Sequence, residues 1–243
     1  MFSGKIEDYI LFEDKEIIVC RKPAGIAVQN ARIGAMDLES SLKNYLAMQD
    51  GGGRRIPYLA VIHRLDQPVE GILVFGKTPE AAKSLSAQIT AGKMEKIYLA
   101  VTYGKQAEAG KKEKVLEDYL KKDGKSNTSS VVNAHTPGAK KARLSYEVLG
   151  EAVDAISGKK KWLLRIHLDT GRHHQIRVQM AHAGMPLVGD RKYGAGTNVT
   201  IGAGSLALCA ASLTFFHPVT GKVMKFVTKP EGAEFKGISI PQM

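Results

Sequence analysis

Asp66 lies in the segment whose residue types are best suited to chemistry. The segment 61–68 reads VIHRLDQP and begins within an apolar run. A carboxylate that directly follows a buried strand, beside His63 and Arg64 and before a proline turn, is placed to act as a nucleophile or as a base. Aspartate also closes turns without any chemical role, so this segment alone leaves both interpretations open.

A second polar segment, 169–177, carries two Arg, two His and one Gln within residues 172–177. It lies where a turn is expected to enter a helix, and helix N-termini bind anions. Arginine and glutamine also donate hydrogen bonds to phosphates and to base edges. Arg177 follows the apolar Ile176, so we expect it at the edge of a buried helical face, where a partner carboxylate would suit it. A solvated polar turn is the alternative.

Lys96 and Tyr98 form a third candidate, because alternate residues of a strand point to the same side. A tyrosine on a working face can stack on a base or act through its hydroxyl. The alternative is a core tyrosine with a satisfied hydroxyl.

Two further patterns are not expected to form sites. His173 and His174 are adjacent and cannot both face one site on a helix, and no Cys or acidic pair completes a ligand set, so we expect no metal. Residues 202–207 match the dinucleotide-binding pattern G-x-G-x-x-A, but no helical pattern follows them.

The order of predicted strands and helices that must position these residues indicates an α+β fold. We expect a largely antiparallel mixed β-sheet with flanking helices, in a single domain over residues 1–243. Asp37 and Thr78 are predicted N-caps of two helices, and a third helix is expected from Ile176 to Ala183. Short strands are also expected at 115–116 and 131–132, inside a charged stretch. The main predicted strands cover 10–12, 17–20, 59–62, 72–75, 97–101, 144–149, 162–168, 206–208 and 224–227.

The composition restricts the classes of partner. A formal net charge of +11 favours an anionic partner, either nucleic acid or an acidic membrane surface. Residues 139–192 hold 11 basic and 5 acidic side chains, so more than half of the net charge lies there. No apolar run approaches the ~20 residues of a membrane helix. The two cysteines, Cys20 and Cys209, and an N-terminus without a signal-like pattern predict a cytoplasmic protein.

Taken in order, these segments resemble the RluA-type family of RNA pseudouridine synthases. The resemblance covers nearly the whole chain and implies the pseudouridine synthase catalytic fold, without the N-terminal S4 RNA-binding domain of many relatives. Each match alone is weak, whereas the ordered set is specific. The matching segments are 10–19, Lys22–Gly25, His63–Asp66, Lys96–Tyr98, Thr170–Val178, Gly189–Asp190 and Tyr193–Gly194.

The resemblance implies that a uridine is detached from its ribose at N1, turned, and rejoined through C5. Asp66 would be the nucleophile, attacking the ribose or the base, or would instead remove a ribose proton. Arg177 would pair with Asp66 and favour its ionised form. Tyr98 would stack on the uracil and assist at C5, and Arg64 would fill the space left by the flipped nucleotide.

The remaining implications concern partners. The expected partner is ribosomal or transfer RNA, with no cofactor, metal, membrane or obligate protein partner, and the protein is expected to be a monomer. The RNA and substrate contacts implied by the resemblance are His63, Arg64, Lys96, Arg172, His173 and Gln175.

The sequence departs from the family after Asp66. The family commonly has Thr-Ser-Gly there, whereas this chain has Val69, Glu70 and Gly71, and we expect Glu70 to point outward. The altered residues motivate one alternative, a non-catalytic RNA-binding or ribosome-assembly protein of the same fold. A glycosidase built on Asp66 and Glu70 is a second alternative, but it needs two carboxylates roughly 5–10 Å apart across one bond.

Overall fold

The computed structural model describes residues 3–30, 36–51, 56–104, 113–154, 158–194 and 205–241. The chain divides into two compact units: unit 1 comprises Met1–Glu95 and Ala210–Lys229, and unit 2 comprises Lys96–Cys209 and Pro230–Met243. The helices and strands are β1 (Ile10–Glu13), β2 (Ile17–Lys22), α1 (Leu38–Gln49), β3 (Ala60–Val61), β4 (Glu70–Gly76), α2 (Pro79–Thr90), β5 (Glu95–Thr102), β6 (Lys114–Asp123), β7 (Thr128–Val132), β8 (Lys140–Val153), β9 (Lys160–Leu168), α3 (Gln175–His182), β10 (Leu208–Phe216) and β11 (Val223–Val227).

Unit 1 is built around β4, which is buried along its whole length. Its strands follow the order β1-β2-β4-β10, with β3 paired to β4 and β11 paired to β10. β2 runs antiparallel to β4, from the pair Ile17 and Gly76 to the pair Lys22 and Gly71. This register places Lys22 beside the start of β4, immediately after the segment that carries Asp66.

The two helices of unit 1 begin where the sequence predicts. The Asp37 side chain accepts a hydrogen bond from the backbone N–H of Ser40, and Thr78 accepts one from Ala81. The small and aliphatic side chains on one face of α2 pack against apolar side chains of the strands. The core that they share consists of Ile17, Val19, Ile72, Val74, Ala81, Leu85, Met94, Leu213 and Phe215.

Unit 2 has the strand order β5-β9-β8-β6-β7, and each neighbouring pair is antiparallel. The spacing of the predicted strands 144–149 and 162–168, with a turn at Ser157–Lys160 between them, indicates a hairpin. The structure confirms it, because β8 and β9 pair through nine residue pairs from Leu144 with Leu168 to Val153 with Lys160. Ser157, in the turn predicted for this hairpin, lies outside the described residues, as do residues 202–204 of the G-x-G-x-x-A pattern.

The strand β6 is much longer than the predicted strand at residues 115–116. It runs for 10 residues from Lys114 to Asp123, and most of its side chains are exposed or half-buried. A strand with so little buried surface gives no strong apolar run in the sequence, so its length depends on hydrogen bonding to β7 and β8. The α+β class with antiparallel strands is otherwise confirmed.

Gly71 is required where β4 approaches β10 in unit 1. Its φ is +128°, and a Cβ atom there would lie 2.4 Å from the carbonyl oxygen of Ala210 and 2.5 Å from its nitrogen. Both obstacles are backbone atoms, which cannot swing away as a side chain could. Gly71, which lies five residues after Asp66, is therefore restricted both by its backbone conformation and by the space around it.

We predict that Gly71→Ala lowers the free energy of unfolding by at least about 2 kcal/mol, because it adds backbone strain to an overpacked contact. Urea unfolding at pH 7 measures the change. Gly124→Ala is the matched control, since a Cβ atom there meets nothing within 4 Å and no positive φ is involved. Equal stability of the two variants would contradict this explanation of Gly71.

Candidate active site

Asp66 lies in a tight turn between β3 and β4. Its carbonyl oxygen accepts a hydrogen bond from the backbone N–H of Val69 at 3.0 Å, which closes the turn. Leu65 and Val69 are buried on either side of it, whereas Asp66 is half-buried and Arg64 is exposed. The two apolar neighbours anchor the turn, while Asp66 between them stays partly accessible.

His63 fixes the beginning of this segment to β4. Its Nε2 atom accepts a hydrogen bond from the backbone N–H of Val74 at 3.3 Å, so Nε2 carries no proton in this arrangement. β3 itself pairs with β4 only at Ala60 and Val61. The imidazole therefore extends a short strand pairing toward Asp66, and substrate contact by His63 stays a prediction.

Lys22 ties the other side of the Asp66 turn to the turn that follows β2. It is 0% exposed, and its Nζ donates to the carbonyl oxygens of Pro23 at 3.0 Å, Ile26 at 2.7 Å and Gln67 at 3.0 Å. Gly25 adds two hydrogen bonds: its N–H donates to the Gln67 carbonyl, and its carbonyl accepts from the Gln67 amide. The residue next to Asp66 is thus held by three contacts.

Glu70 is buried, which corrects the expectation that it points outward. It is 8% exposed at the first position of β4. Burial lowers the pKa of Lys22 to about 7, while the charges of Asp66, Glu70 and Cys20 oppose that change. Unit 1 therefore contains a buried cation and two carboxylates that interact with it electrostatically. The outward prediction failed because it assumed that an acidic residue in a turn seeks solvent.

Lys96 and Tyr98 lie on β5 of unit 2. Tyr98 is 7% exposed and pairs with Ile166 of β9. Burial lowers the pKa of Lys96, and the negative charge of Asp169 partly opposes this effect. The Nζ atom of Lys96 lies 3.7 Å from the point where a Cβ on Gly171 would stand, so the structure brings two of the predicted segments together.

Gln175 holds the turn that leads into α3. Its side-chain oxygen accepts from the Thr170 hydroxyl at 2.8 Å and from the backbone N–H of Arg172 at 2.9 Å, and its amide donates to the Arg143 carbonyl at 3.0 Å. Gln175 is 3% exposed, whereas Arg172 is exposed and its Nε donates to the Lys141 carbonyl. These bonds give Gln175 a positioning role, and RNA contact by either residue stays a prediction.

His173 and His174 form a stacked pair with ring centroids 3.8 Å apart. Nδ1 of His173 lies 2.9 Å from the Ser129 hydroxyl oxygen, and Nδ1 of His174 lies 2.8 Å from the Tyr193 hydroxyl oxygen. His174 adopts a left-handed conformation with φ of 53°, which turns the chain into α3. The pair therefore connects the β7 hairpin to the Tyr193 loop, and RNA contact by His173 stays a prediction.

Arg177 is buried and has a carboxylate partner, as its sequence position predicts. The partner in unit 2 is Asp190: Nε and Nη2 each donate to one carboxylate oxygen at 2.8 Å. The guanidinium also lies over the Tyr193 ring, 5.2 Å from its centroid. Burial opposes ionisation of Asp190, but the hydrogen bonds and charge of Arg177 hold its pKa below the usual range. Pairing of Arg177 with Asp66 stays a prediction.

The predicted site residues are divided between the two units. Unit 1 carries His63, Arg64 and Asp66, and unit 2 carries Lys96, Tyr98, Arg172, His173, Gln175 and Arg177. Sequence reasoning did not assign a role to Lys22 or Asp190, although both lie in segments that match the family. Their signals were a lysine two residues after the apolar strand 17–20 and an aspartate after a glycine, and both patterns are also common in ordinary turns.

Among the described residues, no three or more His, Cys, Asp or Glu side chains are grouped as metal ligands. None of the helices in the described part of the chain is long and apolar enough to cross a membrane.

Comparisons with known proteins point to one family. A family model described as RNA pseudouridylate synthase matches residues 16–182. Ribosomal large subunit pseudouridine synthase D of Xanthomonas campestris pv. campestris is 30% identical over 234 residues, covering 89% of this chain and 64% of that protein. The protein of the same name from Pseudomonas aeruginosa is 33% identical over 233 residues, covering 91% of this chain and 68% of that protein. The chain thus spans less than two thirds of the first relative's length.

A solved structure supports the fold. The structure of human RNA pseudouridylate synthase domain containing 1 superimposes with a TM-score of 0.73 and covers 95% of this chain and 86% of its own. The sequence identity is 20%, so this likeness concerns the fold alone.

We predict that Asp190→Asn lowers the free energy of unfolding by about 3 kcal/mol at pH 7, because it removes the charge of a buried ion-pair partner. The folded-state pKa of Asp190 is lowered, so its contribution is present above the unfolded-state pKa and is lost as pH falls through the folded value. The difference between the two proteins should therefore shrink below about pH 4 in denaturant titrations.

Asp169→Asn is the matched control for this experiment. Asp169 also pairs with an arginine, Arg143, but their side chains are 32% and 48% exposed. We expect a loss of at most about 1 kcal/mol from this exposed pair. A loss as large as that of Asp190→Asn would show that burial is not what makes the Arg177 pair important.

Proposed function

The chain belongs to the RNA pseudouridylate synthase family, and from this membership we propose that it converts specific uridines of structured RNA to pseudouridine. The reaction breaks the bond between N1 and C1′, forms a bond between C5 and C1′, and moves one proton from C5 to N1. It requires neither an oxidant nor a hydrolytic water. The observation that carries the proposal is that the family model matches residues 16–182, the region that contains the proposed site residues Asp66, Tyr98 and Arg177.

Asp66 is proposed as the reacting carboxylate. Its turn is tied on one side by His63 and on the other by the contacts at Gln67, so the carboxylate starts from a fixed position. Being half-buried, it can meet a substrate that enters from solvent. Both nucleophilic attack and removal of a ribose proton fit this placement. Either step requires the nucleotide to leave the base stack, because a ribose within a helix is shielded.

The proposal gives the other groups complementary tasks. Tyr98 is proposed to stack on the uracil and to assist removal of the C5 proton, and Arg177 to favour the ionised form of Asp66. The bidentate contact with Asp190 would hold the guanidinium for that task. Exposed Arg64 would occupy the space of the flipped nucleotide. Because these groups come from both units, we propose that residues 1–243 act as one catalytic domain.

The proposed partner is ribosomal or transfer RNA, bound through phosphates by the basic stretch 139–192. The exposed cations of this stretch include Lys140, Lys141 and Arg172. Lys161 is only 7% exposed, and its Nζ lies 3.9 Å from Oδ2 of Asp154. Phosphate contacts supply most of the affinity and make it salt-dependent. We further propose that the protein acts as a monomer in the cytoplasm.

We predict that Asp66→Asn lowers pseudouridine formation by at least about 100-fold, because the amide can act neither as a base nor as a nucleophile. The substrate is RNA from a strain lacking the gene, and the readout is pseudouridine mapped at each position. Asp50→Asn is the matched control, since Asp50 is exposed at the C-terminal end of α1 in the same unit. Undiminished activity of Asp66→Asn would remove Asp66 from the mechanism.

The same variant separates the proposed enzyme from a non-catalytic RNA-binding protein. If wild-type protein binds RNA in a salt-sensitive manner but forms no pseudouridine, and Asp66→Asn rescues a deletion strain, the binding function is favoured. Loss of rescue together with loss of pseudouridine supports the enzyme.

We predict that Lys140→Gln weakens RNA binding and lowers the slope of log affinity against log salt by about 1, because one phosphate contact is lost. Lys93→Gln changes the net charge equally, but Lys93 is exposed in unit 1, outside the basic stretch. Binding titrations at several salt concentrations compare the two. Equal slopes would contradict the placement of RNA at 139–192.

A further inference from the structure

Glu70 brings a second carboxylate into the interior of unit 1. It is 8% exposed, four residues after Asp66, at the start of a strand that is buried along its length. Two carboxylates that act on one buried region disfavour each other's ionised form unless a cation balances them. If the reaction needs an ionised Asp66, a cation therefore has to balance the negative charge of Glu70.

Lys22 is a cation in the right place for this task. The register of β2 and β4 sets Lys22 opposite Gly71, the residue after Glu70. Its Nζ bonds the carbonyl of Gln67, the residue after Asp66. Lys22 thus contacts the chain next to both carboxylates, and both carboxylates act on it electrostatically.

The hydrogen bonds of Lys22 do not by themselves explain its charge. Three carbonyl oxygens satisfy the three N–H groups of the ammonium, but carbonyls are dipoles without net charge. A residue that is 0% exposed has no solvent to balance the remaining charge. The charges of Asp66 and Glu70, which raise the pKa of Lys22, provide that balance.

We propose that Lys22 and Glu70 form a compensating pair that positions Asp66 and sets the pH range in which it reacts. This proposal rests on the proposed function of Asp66 as the reacting carboxylate. Lys22 is a positioning residue in it, because it acts on the reaction through Asp66 and the Gln67 backbone. Glu70 keeps Lys22 charged, and Lys22 holds the turn that carries Asp66 through its bond to the Gln67 carbonyl.

The electrostatics of Lys22 agree with this arrangement. Burial lowers its pKa to about 7, and Asp66, Glu70 and Cys20 are the groups whose charges raise it. Removing the Glu70 charge should therefore lower the Lys22 pKa further, so that Lys22 becomes neutral at lower pH.

The central experiment compares Glu70→Gln with wild type in the pH profile of kcat/KM. We expect the basic limb, which follows deprotonation of Lys22, to move to lower pH by at least about half a unit, with KM for RNA changed less than about twofold. Glu80→Gln is the matched control, because Glu80 is exposed in the first turn of α2. A purely structural role of Glu70 would change stability or kcat without moving the basic limb.

A second experiment uses charge rescue. Lys22→Met removes the ammonium on which Asp66 and Glu70 act, so we expect kcat/KM to fall. Adding Glu70→Gln should raise kcat/KM of Lys22→Met at least about tenfold, as expected for groups in one charge network. If Lys22→Met does not fold, the Glu70→Gln profile decides alone. A basic limb that coincides with that of Glu80→Gln, or a double variant no more active than Lys22→Met, would overturn the proposal.

A measurement without turnover separates this proposal from the proposed function. NMR titration of the Lys22 ammonium should show a midpoint near pH 7 in wild type and a lower midpoint in Glu70→Gln. If that shift occurs but wild-type protein forms no pseudouridine, the proposed function fails and the compensating pair stands. If wild type is active, Asp66→Asn is inactive and Glu70→Gln moves neither the midpoint nor the basic limb, the pair is refuted.

Discussion

A cation that is removed from water must be surrounded by acceptors, and each unit of the protein meets this requirement around one side chain. Lys22 is 0% exposed and Arg177 is 5% exposed. The ammonium of Lys22 is compact and bonds three carbonyl oxygens that converge on it. The guanidinium of Arg177 is a flat fork, and it bonds the two oxygens of one carboxylate. Each arrangement holds one of the segments in which chemistry is expected.

Much of the architecture is visible in the sequence because it depends on local patterns. The caps Asp37 and Thr78 and the apolar runs of β2, β4, β5, β8 and β9 lie where the sequence predicts them. These elements bury one face or both, so hydrophobic periodicity reports them directly. The buried carboxylate partner of Arg177 was also predicted as a type of residue, since a guanidinium at the edge of an apolar face needs one.

The failures concern residues whose surroundings come from distant parts of the chain. Glu70 follows a turn, where acidic residues usually meet solvent, but the register of β2 against β4 buries it. Asp190 is 13 residues from Arg177, and nothing in the local pattern indicates that the loop folds back onto α3. β6 has few buried side chains, so its ten residues could not be recognised as one strand. In each case tertiary contacts outweigh local preference.

The lysine that bonds only carbonyl oxygens has a consequence for the evolution of this protein. Pro23, Ile26 and Gln67 each offer Lys22 a main-chain oxygen, which every amino acid provides equally. Substitutions at those three positions can therefore accumulate without a compensating change at Lys22. The Arg177 contact is different, because its partner is the Asp190 side chain and a change in either residue selects for a change in the other. Pairwise covariation among homologues should accordingly reveal the arginine contact and miss the lysine contact, although both are buried.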